Sequence, residues 1–153
     1  MSSPFRLIPE AVRCASCAAK RAILSELADG FATAYALDRE AVLDALRERE
    51  ALGSTGFGRG VAMPHARLDT VEQPLAMFLH LDRDVDFKAA DGVPVRLVMG
   101  LVSPSDAGAH HLHALAAMSR LTRDERVLHP LFEAQSEEEL FAIFENADLR
   151  DAA

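Results

Sequence analysis

The chain has 153 residues, 50% of them hydrophobic, with 16 Lys+Arg against 24 Asp+Glu and a formal net charge of -8, the size and apolar content of one globular domain with a real core. The negative balance excludes broad binding to nucleic acid or anionic membranes, which recruit partners through lysine and arginine. No apolar run approaches the roughly 20 residues that span a bilayer, and "MSSPFRLIPEAVRC" lacks the apolar stretch of a secretion signal, so a cytoplasmic protein with no membrane insertion is expected.

The two cysteines, Cys14 and Cys17, stand in "CASC". The pair has three readings: a redox couple, half of a zinc site, or two reduced thiols near a helix start. No second CxxC or nearby histidine pair completes a metal set, which favours the last. "CAAKRAILSELADGFATAY" predicts a first helix, ended by Gly30 and the short "AYAL". Asp38 stands where its carboxylate would accept a hydrogen bond from the first turn of a second helix, "REAVLDALRERE". Val42, Ala45, Leu46 and Arg49 follow the i, i+3, i+4, i+7 pattern, so Arg49 continues the buried stripe.

"ALGSTGFGRG", with four glycines, reads as a tight loop. "VAMP", "LAMFLHLD" and "VRLVMGLVS" read as strands, the last two apolar enough to be covered on both faces. "ADG", between them, is a loop tip. Ser105 or Asp106 is expected to cap the helix "AHHLHALAAMSRL". Thr122 with Glu125 forms a capping box before "RDERVLHPLFEA", which Pro130 bends or ends, and Ser136 with Glu139 does the same before "ELFAIFENA". The tail "DLRDAA" is expected to fray. The fold expected is one α/β domain over 1–153, its core about 7–144, with a mixed central β-sheet flanked by helices on both faces.

In "GFGRGVAMPHARL" His65 follows a proline directly. One reading is structural, a strand-end histidine with a ring nitrogen on a backbone carbonyl. The neighbours point to another. Pro64 fixes its own φ and biases Met63 toward extended backbone, so the imidazole leaves the strand in a defined direction. Glycines 56, 58 and 60 would let backbone N–H groups approach an anion, and Arg59 and Arg67 add cationic donors. Gly60 and Arg67 are therefore candidates for phosphate contact. A neutral imidazole has a lone pair for attack on phosphorus, and phosphoryl transfer depends on positioning and charge stabilisation more than on a strong base. The glycines fit no nucleotide motif: no Gly-Lys-Ser/Thr closes a Walker loop, and "GFGRG" has the wrong spacing for GxGxxG.

"AHHLHALAAM" offers three histidines. His111 is in line with Leu115 and Met118 and is expected to face the protein near a helix start, where free N–H groups and the dipole favour an anion. His110 and His113 fall on another, solvated side with Ala114 and Ala117. The bland reading of His111 as a polar rim residue stays open. So does a zinc site built from His110 and His113 with His65 or Asp106, although no HExxH or carboxylate-rich motif supports it; no metal and no cofactor are expected. His80, in an apolar strand, and His129, before Pro130, read as structural.

"REALGSTGFGRGVAMPHARL", residues 49–68, with "AGAHHLHALAAMSRL", resembles the enzyme IIA domains of the bacterial phosphotransferase system, in the fructose and mannitol class, and most of all its nitrogen-regulatory, PtsN-like branch. The resemblance runs roughly from Leu7 to Phe144. It implies a phosphotransferase component in which His65 accepts the phosphoryl group of a histidine phosphocarrier of the HPr or NPr kind and forms a phosphohistidine. It implies also that His111, opening the "HLxxLA" helix, assists by contacting the phosphoryl group or the active imidazole, and that Arg49 lines the site. Ser54 and Thr55 occupy the family's loop and would position backbone or phosphate. Two positions depart from the family: His110 stands where glutamate is common, and Ala66 where glycine is frequent. Three outputs are open: a regulator whose phosphorylation state selects target proteins such as sensor kinases or potassium transporters, a sugar-specific component passing the group to a IIB domain, and a zinc hydrolase. With no IIB or permease segment attached to the domain, the regulator is the expectation.

Overall fold

The computed structural model describes residues 3–147; the tail expected to fray, 148–153, lies outside them. The two long apolar runs form its centre. β5 (Leu75–Val85) and β6 (Val95–Pro104) pair as an antiparallel hairpin, with "ADG" at the tip of the connecting loop. Their side chains sort by the two-residue period of a strand. Met77, Leu79, Val98 and Val102 enter one core, and Phe78, Leu97, Met99 and Leu101 the other. α1 (Lys20–Tyr35) and α2 (Arg39–Ala51) cover the first face; α3 (Gly108–Arg123), α4 (Glu125–Glu133) and α5 (Glu137–Asn146) cover the second. There Phe144 stacks on Phe78 with ring centroids 3.7 Å apart. The chain is thus an α/β domain with helices on both faces of a mixed sheet, as the apolar runs predict.

The rest of the sheet frames this hairpin. β1 (Val12–Ala15) joins β5 in parallel. On the far side of β6, β3 (Val61–Ala62) and β4 (His65–Leu68) follow one another along the same strand, both in parallel, and β2 (Gly56–Gly58) pairs antiparallel with β3. Val61 lies opposite Leu97 and His65 opposite Leu101, so the register is the same before and after Pro64. The carbonyl of Pro64 still accepts from Leu101 N–H at 3.0 Å. Among the described residues β4 pairs only with β6, and an edge is where a strand tolerates a residue that donates no hydrogen bond.

Some local expectations are corrected. α1 begins at Lys20, three residues after Cys17, and Cys14 belongs to β1, a strand too short to display alternation. Both thiols are free, Cys14 exposed and Cys17 buried, and desolvation raises the pKa of each. α1 passes through Gly30 and ends at Ala36 in the left-handed region. Gly30 serves packing instead, since a Cβ there would lie 2.4 Å from Met77 Cε. Asp38 holds the N-cap position of α2 but accepts no bond. Neither Ser105 nor Asp106 caps α3, whose N-cap is Ala107. Thr122 lies within α3, donating to Ser119 O at 2.7 Å, and Asp124 caps α4 in its place by accepting from Arg126 N–H at 3.0 Å. Pro130 sits inside α4 without ending it, while Ser136 caps α5 as expected. Ala114 and Ala117 are buried: the core face of α3 is wider than the row of His111, Leu115 and Met118.

Gly100 stands opposite Met77 in β6, where a Cβ would meet Leu27 Cδ2 at 2.9 Å and the Met77 carbonyl at 3.3 Å. Gly100→Ala is expected to destabilise the fold by about 1–3 kcal/mol through overpacking. The measurement is urea unfolding, with a lower midpoint at unchanged slope.

Candidate functional site

Three elements meet at the end of the sheet where β4 begins: the last turn of α2, the Pro64–His65 junction, and the first turn of α3. Arg49 lies in that last turn, half-buried, on the stripe shared with Val42 and Leu46. His65 opens β4, and His111 is 5% exposed on the inner side of α3. Arg49, His65 and His111 line one cleft of about 700 Å³, together with Glu48, Leu52 and Arg67. The two imidazole centroids are 5.5 Å apart, with the rings inclined at 52°.

The hydrogen bonds of His65 decide its tautomer. Its Nδ1 lies 2.8 Å from the carbonyl of Met63. A carbonyl only accepts, so Nδ1 carries the proton and Nε2 the lone pair. Arg49 Nε–H points at that Nε2 from 3.3 Å, and Arg49 Nη1 donates to Gly53 O at 3.0 Å. Burial lowers the pKa of His65; the bond to Met63 opposes this, the Arg49 charge adds to it, and Glu50 works against it. His111 is pushed down to about 4, first by burial and then by the charges of His65 and Arg67. Its Nδ1 is enclosed without a partner, so the ring meets the cleft by its other edge. Both imidazoles are neutral near pH 7, and one presents an unshared pair beside a guanidinium.

Arg67 is exposed on β4 with its guanidinium beside the start of α3: a Cβ on Gly108 would stand 3.7 Å from Nη2. The first turn of α3 has no acidic residue and no side-chain cap. Its free N–H groups and the positive end of the helix dipole therefore favour an anion there.

Ser54, Thr55 and Gly60 do not line the cleft. Ser54 Oγ donates to Phe87 O at 2.9 Å. Thr55 is buried, with its N–H and its hydroxyl both on the Glu50 carboxylate. Gly60, φ 84°, and Arg59, φ 61°, form the two-residue turn between β2 and β3, the hairpin geometry that needs positive φ at both positions. The glycine spacing therefore builds a hairpin rather than an anion cradle. Gly56 N–H is taken by Ser54 Oγ at 3.0 Å, and Arg59 Nη1 donates to Thr122 O at 2.9 Å, away from His65. The sequence reading missed Glu50. Its side chain is 7% exposed and pairs with Lys20 Nζ at 2.7 Å; the only signal for it was its place between Arg49 and the glycine loop. His110 and His113 are exposed, and among the described residues no group of three or more His, Cys, Asp or Glu is placed to hold a metal ion. His80 Nε2 lies 3.0 Å from Phe132 O, a structural contact, and His129 is exposed beside Glu133. No helix among the described residues is long and apolar enough to cross a membrane.

Comparison with known proteins gives the chain a family. A sequence profile described as "Phosphoenolpyruvate-dependent sugar phosphotransferase system, EIIA 2" matches residues 9–147. A nitrogen regulatory protein of Bradyrhizobium diazoefficiens is 40% identical over 124 residues, 81% of each chain. A fructose-specific EIIA component of Haloferax volcanii is 41% identical over 101 residues, 66% of each chain. Among solved structures, the nitrogen regulatory protein IIA-Ntr of Neisseria meningitidis superposes with a TM-score of 0.79 at 31% identity, covering 89% of this chain and 94% of that one. The match takes in every strand and helix that builds the cleft, and the chain belongs to the type-2 EIIA family of the phosphotransferase system, as a phosphotransfer component of it.

Proposed function

We propose that the protein accepts a phosphoryl group from a histidine phosphocarrier onto Nε2 of His65, and that its free and phosphorylated forms engage different target proteins, as a nitrogen-regulatory component. The observation that carries the first part is the bond from Nδ1 to Met63 O, which leaves Nε2 unprotonated in the cleft between Arg49 and His111. The Nε2 lone pair attacks phosphorus as the bond to the carrier's histidine breaks, and that bond's electron pair returns to the carrier's ring. The proton stays on Nδ1, donated to Met63 O, and this bond stabilises positive charge on the loaded ring. Arg49, whose Nε already faces the attacking atom, turns its donors to the equatorial oxygens. The cleft-facing edge of His111 and the start of α3 beside Arg67 supply further donors on the incoming side. Leu52, 85% exposed, on the rim, and Leu112, 65% exposed, next to His111, offer the apolar contact on which a carrier would dock.

The regulatory half rests on the names of relatives along most of the chain, including the one from Bradyrhizobium diazoefficiens. The fructose-specific relative from Haloferax volcanii supports a second reading, delivery of the group to a IIB domain. Rapid transfer of label from the loaded protein to a sugar-specific IIB domain would establish that second reading and overturn a purely regulatory role.

Incubation with labelled phosphoenolpyruvate and the phosphocarrier system is expected to give an acid-labile, base-stable phosphoprotein. His65→Ala takes no label, and retention of label by that variant refutes the assignment. Arg49→Met is expected to slow labelling by about 100-fold, the usual loss for one transition-state donor.

Labelling should also fall as His65 is protonated, with a midpoint below the ordinary value of about 6.5; a flat rate through the acid range contradicts the mechanism. The same shifts predict a stability profile. Histidines in the unfolded chain take up protons near pH 6.5, whereas native His111 does so at about 4. The stabilisation is complete above the first value and is lost as the pH falls toward the second. In urea titrations His111→Gln should lose less stability across that interval than the parent protein does.

A further inference from the structure

We propose that Glu50 is a positioning residue for phosphoryl acceptance, setting the tautomer and direction of the His65 ring through Thr55 and Met63. The inference rests on the reading of His65 Nε2 as the acceptor atom.

A continuous run of hydrogen bonds connects the two side chains. Lys20 Nζ lies 2.7 Å from the Glu50 carboxylate. That carboxylate accepts from Thr55 N–H at 2.8 Å and from Thr55 Oγ1 at 2.5 Å. Thr55 O accepts from Met63 N–H at 2.9 Å, and Met63 O accepts from His65 Nδ1–H at 2.8 Å. A carboxylate and two carbonyls can only accept, so no link can reverse, and the last one places the proton on Nδ1.

The run lies on the side where the sheet gives no help. Among the described residues β4 pairs only with β6; Leu101 N–H holds the Pro64 carbonyl from that side, but Pro64 has no N–H to be held from the other. On the outer side Met63 is held by Thr55, and Thr55 sits between α2 and β2 outside any helix or strand. Glu50 grips Thr55 at two atoms. A buried carboxylate is costly unless its partners are complete, and here they are: Lys20, the Thr55 amide and the Thr55 hydroxyl. Glu50 also adjoins Arg49, so one turn of α2 fixes both ring nitrogens, Nε2 directly and Nδ1 through the relay.

Charge alone would act differently from position, and two pairs of variants separate them. Glu50→Gln keeps a carbonyl for the Thr55 amide and an N–H for its hydroxyl but removes the charge; Glu50→Met removes charge and partners together. Thr55→Val deletes the hydroxyl, which Thr55→Ser restores. The tautomer of His65 is read by long-range proton–nitrogen correlation in the full chain with labelled histidine, beside the rate of phosphoryl acceptance at saturating carrier. Glu50→Met and Thr55→Val are expected to give a mixture of ring tautomers and acceptance slowed about tenfold, a modest loss for a misplaced reacting group, with the carrier's KM unchanged. Glu50→Gln and Thr55→Ser stay near the parent protein in both readouts.

The proposal is overturned if Glu50→Gln and Glu50→Met behave alike, or if folded Glu50→Met retains the parent tautomer. It is equally overturned if stability falls in these variants while the His65 signals do not move. Should Glu50→Met fail to fold, the Thr55 pair decides by the same criteria. Failure of the parent protein to take label would instead remove the reading of His65 as acceptor, and the tautomer measurement would still report whether Glu50 orients the ring.

Discussion

The bond from His65 Nδ1 to the carbonyl of Met63 is the constraint on which the site depends. It is local, spanning a single proline, yet it decides which nitrogen of the ring is free. An imidazole with its proton on the other nitrogen would turn a donor toward Arg49 and have nothing to offer an electrophile. The remaining features follow from keeping that lone pair available: a guanidinium close by that cannot take the proton, a second imidazole whose pKa burial holds at about 4, and a helix start that presents only donors.

The fold supplies the rigidity this requires. β6 is buried along nearly its whole length between two apolar layers, so the strand against which His65 is registered does not shift. The histidine lies on the outer side of that strand, at an edge, where a partner can reach it. Precise placement and access conflict in a protein interior. Here they are reconciled by setting the His65 ring one strand out from the centre of the sheet and holding it beside the end of α2.

Much of this arrangement was legible in the sequence. The apolar runs at 75–82 and 95–103 are long enough to identify buried strands, and the spacing of Val42, Leu46 and Arg49 put an arginine on an inward helix face. What escaped was decided by distant parts of the chain. β1 has four residues and exists because β5 offers it a parallel edge. The glycines at 56, 58 and 60 suit a loop open to anions, but Gly60 forms a two-residue turn of positive φ with Arg59, and Gly56 and Gly58 lie in the strand before it. A cap is hard to place where oxygen-bearing side chains compete within a few positions, as at Thr122 and Asp124. Glu50 was invisible because nothing in "RERE" separates a carboxylate in solvent from one that holds a loop.

The parallel pairing of β4 with β6 has a kinetic consequence. His65 lies opposite Leu101, a partner far along the chain, whereas β5 and β6 meet through a short connection. Closing the longer span costs entropy before its contacts can repay it, so that pairing follows the hairpin in assembly. A chain still emerging from synthesis therefore contains the histidine long before it contains the cleft, and the pairing that seats the ring beside Arg49 arrives only with the finished sheet.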